Sequence, residues 1–336
     1  MIDWLTLRVV CAAPVHAGEV VSFRADGTRE WDTPKRLQVE GSFSVNVSLR
    51  RRPTDGSLEI SGNPAKWFQG HNVFGSEAWH LAPAFAVSVI ERTGYVLTPS
   101  ELAAIHAGAF FVSRVDLTES WDFGNVRRAT SAVQALADSG CFRHRGKGSQ
   151  FEEGTVYWRQ KSRWLASKAY VKGLELKAHP PTCADPHEIY DVAGGLVRFE
   201  FCARSMWLKS RGLDVWANWS TLGVTPASLH AELMAGLTLG DSMMRDAAAL
   251  DGLPPRLQSA YQLWLDGHDL RQMFPRRSFY RYRSQLLAHG VDIGVKRARE
   301  ATNVVRLVPI LEGKPFAIPD RFRGTPAYFE PRALAA

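Results

Sequence analysis

The sequence predicts an α+β fold: one antiparallel sheet with helices on one face, followed by a helical, helix-turn-helix-like C-terminal region. Three features carry that expectation. Short runs of alternating apolar and polar residues recur through roughly the first two thirds of the chain, the period of two of half-buried strands. Stretches with helical spacing are interleaved with them. Past about Gly223 the strand signals fade, and helical ones dominate to about residue 290. A chain of 336 residues accommodates two ordinary domains, and the change of character places them at residues 1–222 and 223–336.

The first strand is read at Ile2–Val9. Phe43, Val45, Val47 and Leu49 alternate with Ser44, Asn46, Ser48 and Arg50, which marks a strand with one buried face. Asp55-Gly56 is a turn signal, and Leu58 and Ile60 begin the returning strand. A helix is expected over 77–92 with Ser76 as its cap. A second starts after Thr98-Pro99-Ser100, with Glu101 in its first turn. Residues 110–118 read as a strand, 125–139 as a helix stopping near Gly140, and 143–149 as a basic, glycine-containing loop. Strands at 155–159, 165–172 and Leu196–Arg204 follow.

Composition narrows the class. Hydrophobic residues make up 45%, enough for a packed core and against wholesale disorder. The net charge of +7, from 41 Lys+Arg against 34 Asp+Glu, favours a polyanionic partner, although a plain basic protein has the same balance. The four cysteines lack C-x-x-C spacing, which argues against a disulfide framework or zinc ribbon and for free thiols in a reducing cytoplasm. Asp3 and Arg8 interrupt any apolar N-terminal run, and the most apolar stretch, 82–90, is too short for a bilayer, so no membrane partner is expected. No P-loop pattern occurs, so no ATPase is expected.

Three strands carry a polar face. Residues i and i+2 of a strand point the same way. Arg114, Asp116 and Thr118 therefore share one face; so do Lys168, Tyr170 and Lys172, and so do Arg198 and Glu200. If these strands are neighbours, a tyrosine, two carboxylates and several cations converge. Such a set suits phosphoryl transfer. Asp116 and Glu200 offer hard oxygens to Mg²⁺ or Mn²⁺, and the metal polarises a phosphodiester. A tyrosine hydroxyl is a poor nucleophile at its free pKa of about 10. A metal or Lys172 beside it favours the phenolate. The products are a 5′-phosphotyrosine and a free 3′-hydroxyl. Taken alone, each residue is better explained by plain ion pairing or packing; only the convergence of the three strands argues for chemistry.

Residues 62–75, Gly-Asn-Pro-Ala-Lys-Trp-Phe-Gln-Gly-His-Asn-Val-Phe-Gly, open a series of recognisable blocks. Ser113-Arg114-Val115-Asp116-Leu117-Thr118, Tyr170-Val171-Lys172-Gly173-Leu174-Glu175-Leu176 and Gly195-Leu196-Val197-Arg198-Phe199-Glu200 follow in order. Leu208-Lys209-Ser210 with Gly212-Leu213, Pro275 to Tyr282, and Asn303-Val304-Val305 complete it. Together they resemble filamentous-phage replication initiators, the gene II family, from Met1 to about Ile310. The resemblance implies a rolling-circle nuclease-like fold and a site-specific endonuclease in the host cytoplasm. Such an enzyme nicks one strand of the double-stranded phage origin through Tyr170, primes synthesis from the 3′ end and rejoins the displaced single-stranded product. A host helicase and polymerase are implied as partners. Tyr157 is the competing nucleophile. Among ten histidines there is no His-hydrophobic-His pair, so the metal falls first to Asp116 and Glu200, with Glu175 and His71 in reserve. Arg114 and Arg198 stand as DNA contacts. The 62–75 segment is either a packing loop or, through His71 and Asn72, part of the active-site rim. The alternative from another class is a non-catalytic origin-binding protein or repressor; a metal nuclease using water is a further rival.

The C-terminal region has its own pattern. Leu257, Ala260, Tyr261 and Trp264 fall on one helix face, closed by Gly267. A short segment, 269–274, precedes Pro275, and a helix then runs to His289, burying Phe279, Tyr282 and Leu286 and stopping at Gly290. Its other side carries Arg276, Arg277, Tyr280 and Arg281, suited to phosphates or guanine edges in a helix-turn-helix reader. A solvated basic face fits the same pattern. Arg127, Arg128, Arg143, Arg145, Lys147, Lys161 and Arg163 are further candidate phosphate contacts.

Overall fold

Alternating residues become hairpins, and the hairpins join into one sheet. The computed structural model describes residues 1–15, 18–142, 146–147, 149–152, 154–239, 253–265, 268–289, 291–295 and 313–331. Strand β1 (Ile2–Val9) is followed by a small separate hairpin, β2 (Glu19–Phe23) and β3 (Arg29–Pro34). Then come β4 (Leu37–Glu40), β5 (Asn46–Arg51) and β6 (Leu58–Gly62). Helices α1 (Pro64–Gln69), α2 (Leu81–Glu91) and α3 (Pro99–His106) lead to the long strand β7 (Phe111–Asp122). Helix α4 (Val126–Ser139) precedes β8 (Gly140–Phe142), β9 (Gly146–Lys147), β10 (Ser149–Glu152), β11 (Thr155–Trp158) and β12 (Leu165–Val171). Helices α5 (Lys172–Ala178) and α6 (Pro186–Ala193) connect to β13 (Leu196–Arg204). Helices α7 (Ser205–Ser210), α8 (Trp216–Thr221) and α9 (Pro226–Met234) and strand β14 (Leu237–Leu239) close this part.

The main sheet runs β10-β11-β12-β13-β7-β1-β6-β5-β4, with every neighbouring pair antiparallel. The expected α+β class with an antiparallel sheet is the class observed. One face packs against α2, α4, α7 and α9. Leu5, Leu7, Ile60, Val115, Leu117, Phe199 and Phe201 from the strands and Phe85, Val89, Val133 and Leu136 from the helices form its core. Helix α3 starts at the expected Thr98-Pro99-Ser100 signal, where Thr98 and Glu101 form a reciprocal capping box, and the Asn125 side chain caps α4 by accepting from Arg128 N.

Three boundaries differ from expectation. The helix expected at 77 begins at Leu81. Ser76 accepts from Ala78 N instead of capping it, and the Trp79 carbonyl is taken by the Trp216 indole, so the preceding turn is committed elsewhere. Strand β5 starts at Asn46 rather than at Phe43, after a turn in which Ser44 has φ 52°. Strand β12 stops at Val171, where its pairing with β13 ends at Val197, and Lys172 opens α5.

The chain beyond 222 is not wholly a separate helical region. Leu229 and Leu233 of α9 lie in the main core, and β14 pairs with β8. A distinct core does form from Leu257, Ala260, Tyr261, Trp264, Leu270, Phe279 and Leu286 on α10 (Pro255–Leu265), α11 (Leu270–Met273) and α12 (Arg276–Ala288). The chain then returns: β15 (Lys314–Pro315) pairs with Trp121 and Asp122 of β7. Phe322 packs with Val73, Phe74, Leu176 and Ile189. Gly267, Gly290, Arg143, Arg145 and Asn303-Val304-Val305 lie outside the described residues. Among the described residues no helix is long and apolar enough to cross a membrane.

His230 on α9 is buried, its Nε2 3.2 Å from the Phe199 carbonyl, and burial pulls its pKa down to about 4. The folded state therefore binds this proton less readily than the unfolded chain. Stability held by the neutral ring is present above about pH 6.5 and is lost as pH falls toward 4. In urea denaturation at pH 7 and pH 4.5, His230→Gln is expected to lose less stability on acidification than the wild type, by up to about 3 kcal/mol. Equal losses would show that the folded chain tolerates a charged His230.

Candidate active site on the polar face of the sheet

Strands β12, β13, β7 and β1 are consecutive in the sheet, and their register aligns the polar residues in rows. Tyr170 faces Arg198, which faces Ser120; Lys168 faces Glu200, which faces Thr118. Cys202 faces Asp116, which faces Trp4, and Arg204 faces Arg114, which faces Thr6. The three polar strands picked out from the sequence are thus neighbours.

At the centre, the Tyr170 hydroxyl donates to Glu200 Oε2 at 3.3 Å, and the Lys168 ammonium pairs with the same oxygen at 3.0 Å. Lys168 Nζ also lies 4.8 Å from the Tyr170 ring centroid. Burial pushes the Glu200 carboxyl up to about 7, with Lys168 opposing the effect and Asp116 and Asp3 adding to it. Burial and the Glu200 charge hold the Tyr170 hydroxyl well above its ordinary value, partly offset by Arg198. Burial works against the Lys168 charge, but the Glu200 carboxylate outweighs it and keeps Lys168 above its ordinary value.

Beneath this row lies a residue that the strand patterns do not single out, Asp3. A register irregularity between Ile2 and Trp4 places it at the sheet's polar side. Its Oδ1 accepts from Asn63 Nδ2 (3.1 Å) and Asn72 Nδ2 (2.7 Å), and Arg198 lies 3.8 Å away. Burial alone would raise its pKa; Arg198, Lys172 and the Asn72 amide hold it below the ordinary carboxylate value. Asn72 Oδ1 in turn accepts from Lys172 Nζ at 2.8 Å. The one available signal in the sequence is an acid inside an otherwise apolar strand, Ile2-Asp3-Trp4-Leu5, which by itself says only that an apolar run is interrupted.

The 62–75 segment supplies both asparagines, and Asn63 also caps α1. Gly70 ends that helix with φ 75°, and a Cβ there would stand 2.7 Å from Cys183 N. The other side of the segment holds the returning C-terminal chain. The His71 ring donates to the Ala327 carbonyl at 2.8 Å, Gln69 Oε1 accepts from Phe329 N at 2.9 Å, and Phe68 stacks on Phe329 with centroids 3.9 Å apart. The packing role is thus seen, while of the two expected rim residues Asn72 reaches Asp3 and Lys172 and His71 turns to the C-terminal chain.

Several expected roles change. His71 is fully buried, its Nε2 is bonded to Ala327 and its Nδ1 accepts from Val73 N, while burial lowers its pKa to about 4; it does not face the carboxylates as a metal ligand. Glu175 is paired with Lys172 at 2.5 Å. Lys172 does not contact the Tyr170 hydroxyl; it is buried, bonded to Asn72 and Glu175, and burial with Arg198 brings it down to about 8. Arg198 is 1% exposed and commits its guanidinium to Ser120 and to the Asn72 and Val73 carbonyls, which removes it from DNA contact. Arg114 forms a two-point pair with Asp116 at 2.9 and 2.5 Å. Among the described residues no set of three or more His, Cys, Asp or Glu side chains is arranged as a metal cage. In the C-terminal helices Arg276, Arg277, Tyr280 and Arg281 are all exposed on α12.

Comparison with known proteins agrees with the resemblance of the motifs. The family model for the N-terminal part of the phage gene II replication-associated protein matches residues 1–222, and the model for its C-terminal part matches 255–327. The chain therefore belongs to the phage replication-associated protein family of gene II, the replication initiators. It is 31% identical to the replication-associated protein of Enterobacteria phage I2-2 over 338 residues, covering 96% of both chains. It is 29% identical over 177 residues to the corresponding protein of Enterobacteria phage M13, covering 47% of this chain and 42% of that one. Among solved structures, a rolling circle replication initiator protein from Geobacillus stearothermophilus aligns over 64% of this chain and 78% of its own, with a TM-score of 0.32 and 12% identity.

Arg198→Met separates a framework role from a DNA-contact role. Removing the guanidinium leaves Asp3 short of a counter-charge and two buried carbonyls without a donor. The variant is expected to lose about 3–5 kcal/mol in urea denaturation without DNA. An unchanged transition would return Arg198 to the surface.

Proposed function

We propose that this chain nicks and rejoins one strand of the phage replication origin, with Tyr170 as the nucleophile. The observation that carries the proposal is the hydrogen bond from the Tyr170 hydroxyl to Glu200 in a buried row of charges. The Tyr170 oxygen attacks the scissile phosphorus; the Oη–P bond forms and the P–O3′ bond breaks. The phenolic proton passes to Glu200, whose carboxyl sits near neutrality and is thus matched to accepting and returning it. The departing 3′ oxygen takes a proton from solvent and becomes the primer end. Lys168 supplies positive charge beside the reacting phosphate. Rejoining is the reverse: the 3′-hydroxyl attacks the phosphotyrosine and Glu200 returns the proton. Tyr157 faces Lys168 from β11, one strand further out.

Glu200 and Asp116 fit Mg²⁺ or Mn²⁺ by donor type, and the Asp116 and Asp3 charges raise the cost of ionising Glu200. When bound, such an ion would supply electrophilic stabilisation of the phosphate oxygens. Arg114, which neutralises Asp116 in a two-point pair and lies over Trp4, orients that carboxylate. On α12 the exposed Arg276, Arg277, Tyr280 and Arg281 are proposed to read origin duplex, with α10 and α11 as their support. The two working units are proposed to divide after β14 rather than at residue 222.

The test is cleavage of supercoiled origin DNA in Mg²⁺, stopped in detergent. Nicked circles with protein on the 5′ end are expected, lost in Tyr170→Phe and kept in Tyr157→Phe. Nicks without attached protein would assign the chemistry to water. Origin binding with no cleavage under Mg²⁺ or Mn²⁺ would leave a binding protein. Glu200→Gln is expected to slow nicking by about 10²–10⁴-fold with DNA affinity kept; an unchanged rate would remove Glu200 as the base.

A further inference from the structure

Asn72 joins Asp3 to Lys172, yet it lies on irregular backbone. Residues 70–76, between α1 and α2, belong to no helix or strand, so no ladder of backbone hydrogen bonds fixes them. On the site side the Asn72 amide meets Asp3 and Lys172, and the Asn72 and Val73 carbonyls accept from the Arg198 guanidinium. Four charged or amide groups thus take their geometry from a piece of chain that has little of its own.

The opposite side of this piece is held by residues 313–331. Phe68 and Phe329 stack with their planes 8° apart. Gln69 uses both ends of its amide: Nε2 donates to the Phe74 carbonyl at 2.7 Å, and Oε1 accepts from Phe329 N at 2.9 Å. The His71 ring spans the gap, with Nε2 donating to the Ala327 carbonyl and Nδ1 accepting from Val73 N at 3.3 Å. Only a neutral ring has a nitrogen free to accept, and burial keeps this one neutral. Phe322 packs on Phe74 with centroids 4.9 Å apart. The same residues reach the other end of Arg198. Phe316 N donates to the Ser120 carbonyl at 2.9 Å, and Ser120 Oγ accepts from Arg198 Nε at 3.2 Å. Arg198, which faces Tyr170 in the register, is therefore braced through residues 313–331 on both sides.

We propose that residues 313–331 are a positioning strap for the Tyr170 site, setting Asn72 and Arg198 through Phe68, Gln69, His71 and Ser120. The inference rests on the nicking reading for its catalytic consequence: a displacement of about 1 Å near the reacting groups costs up to about 10²-fold in rate. The strap follows the helical unit in the chain, so the site is complete only when the chain beyond that unit is docked back on the sheet.

The test compares the full chain with Phe329→Ala and Phe329→Tyr in three measurements: the nicking rate at saturating origin DNA, origin affinity, and amide hydrogen exchange of residues 70–75. Phe329→Ala is expected to slow nicking by about tenfold or more and to speed the exchange, with origin affinity kept within about twofold. Phe329→Tyr, which keeps the stacked ring, is expected to restore most of both. Phe329 is half-buried, and Phe329→Leu, which keeps apolar bulk without the flat stack, gives a milder second variant expected to fall between the two. Urea transitions are followed alongside. Unchanged exchange in the alanine and leucine variants would overturn the proposal. So would faster exchange with an unchanged nicking rate, or a loss of origin affinity in place of rate. A wild type that does not nick, with exchange still faster in Phe329→Ala, would overturn the nicking reading and support the strap as the brace of Asn72.

Discussion

The candidate site depends on one buried carboxylate, Asp3, and the two asparagine amides that hold it. A single charge removed from water is expensive unless hydrogen bonds and counter-charges surround it. Asn63, Asn72 and Arg198 provide that surrounding. Because Asn72 gives its NH₂ to Asp3, its carbonyl oxygen must point the other way, where it meets Lys172. The orientation of one amide thereby ties the first strand to the helix that follows the tyrosine. Arg198, directly opposite Tyr170 in the register, closes the loop through the Asn72 carbonyl. Five residues from four separate stretches of sequence hold one another in place.

This arrangement explains how the candidate site is held on a sheet face. Strand residues facing the helices are fixed by packing, and that fixity is passed to the alternate residues on the other side of the same strands. Phe199 and Phe201 anchor β13 from the core side, so Arg198 and Glu200 are held on the other side. The cost falls on solvation: Glu200 and Lys172 both sit far from their ordinary ionisation ranges, in opposite directions, as burial requires for an acid and a base.

Much of this is legible in the sequence, and the failures have identifiable causes. Period-two patterning locates β7, β12 and β13 and their polar faces, because a half-buried strand writes its two sides into alternate residues. The helix start at Thr98-Pro99-Ser100 is legible for the same local reason. The roles of His71, Lys172 and Arg198 are not. Arg198 finds its nearest side-chain partner 78 residues away, Lys172 reaches one 100 away, and His71 bonds across 256; no window of sequence contains such pairs. Asp3 escapes notice because a lone acid in an apolar strand gives no period, and only a shift of register brings it to the polar side. The C-terminal return to β7 is equally hidden, since its residues lack regular spacing and bind through scattered aromatics and a two-residue strand.

That return changes how the helical unit is attached. Residues 253–295 are not an appendage at the end of the chain but an insertion between β14 and β15, anchored to the same fold on both flanks. The module is thus joined to that fold at two points of the chain rather than one. It also cannot be cut away by trimming the chain from its end without first taking the Phe322 and Phe329 contacts from the segment that carries Asn72. Excising it from within, with its flanks joined, is the edit that respects the architecture.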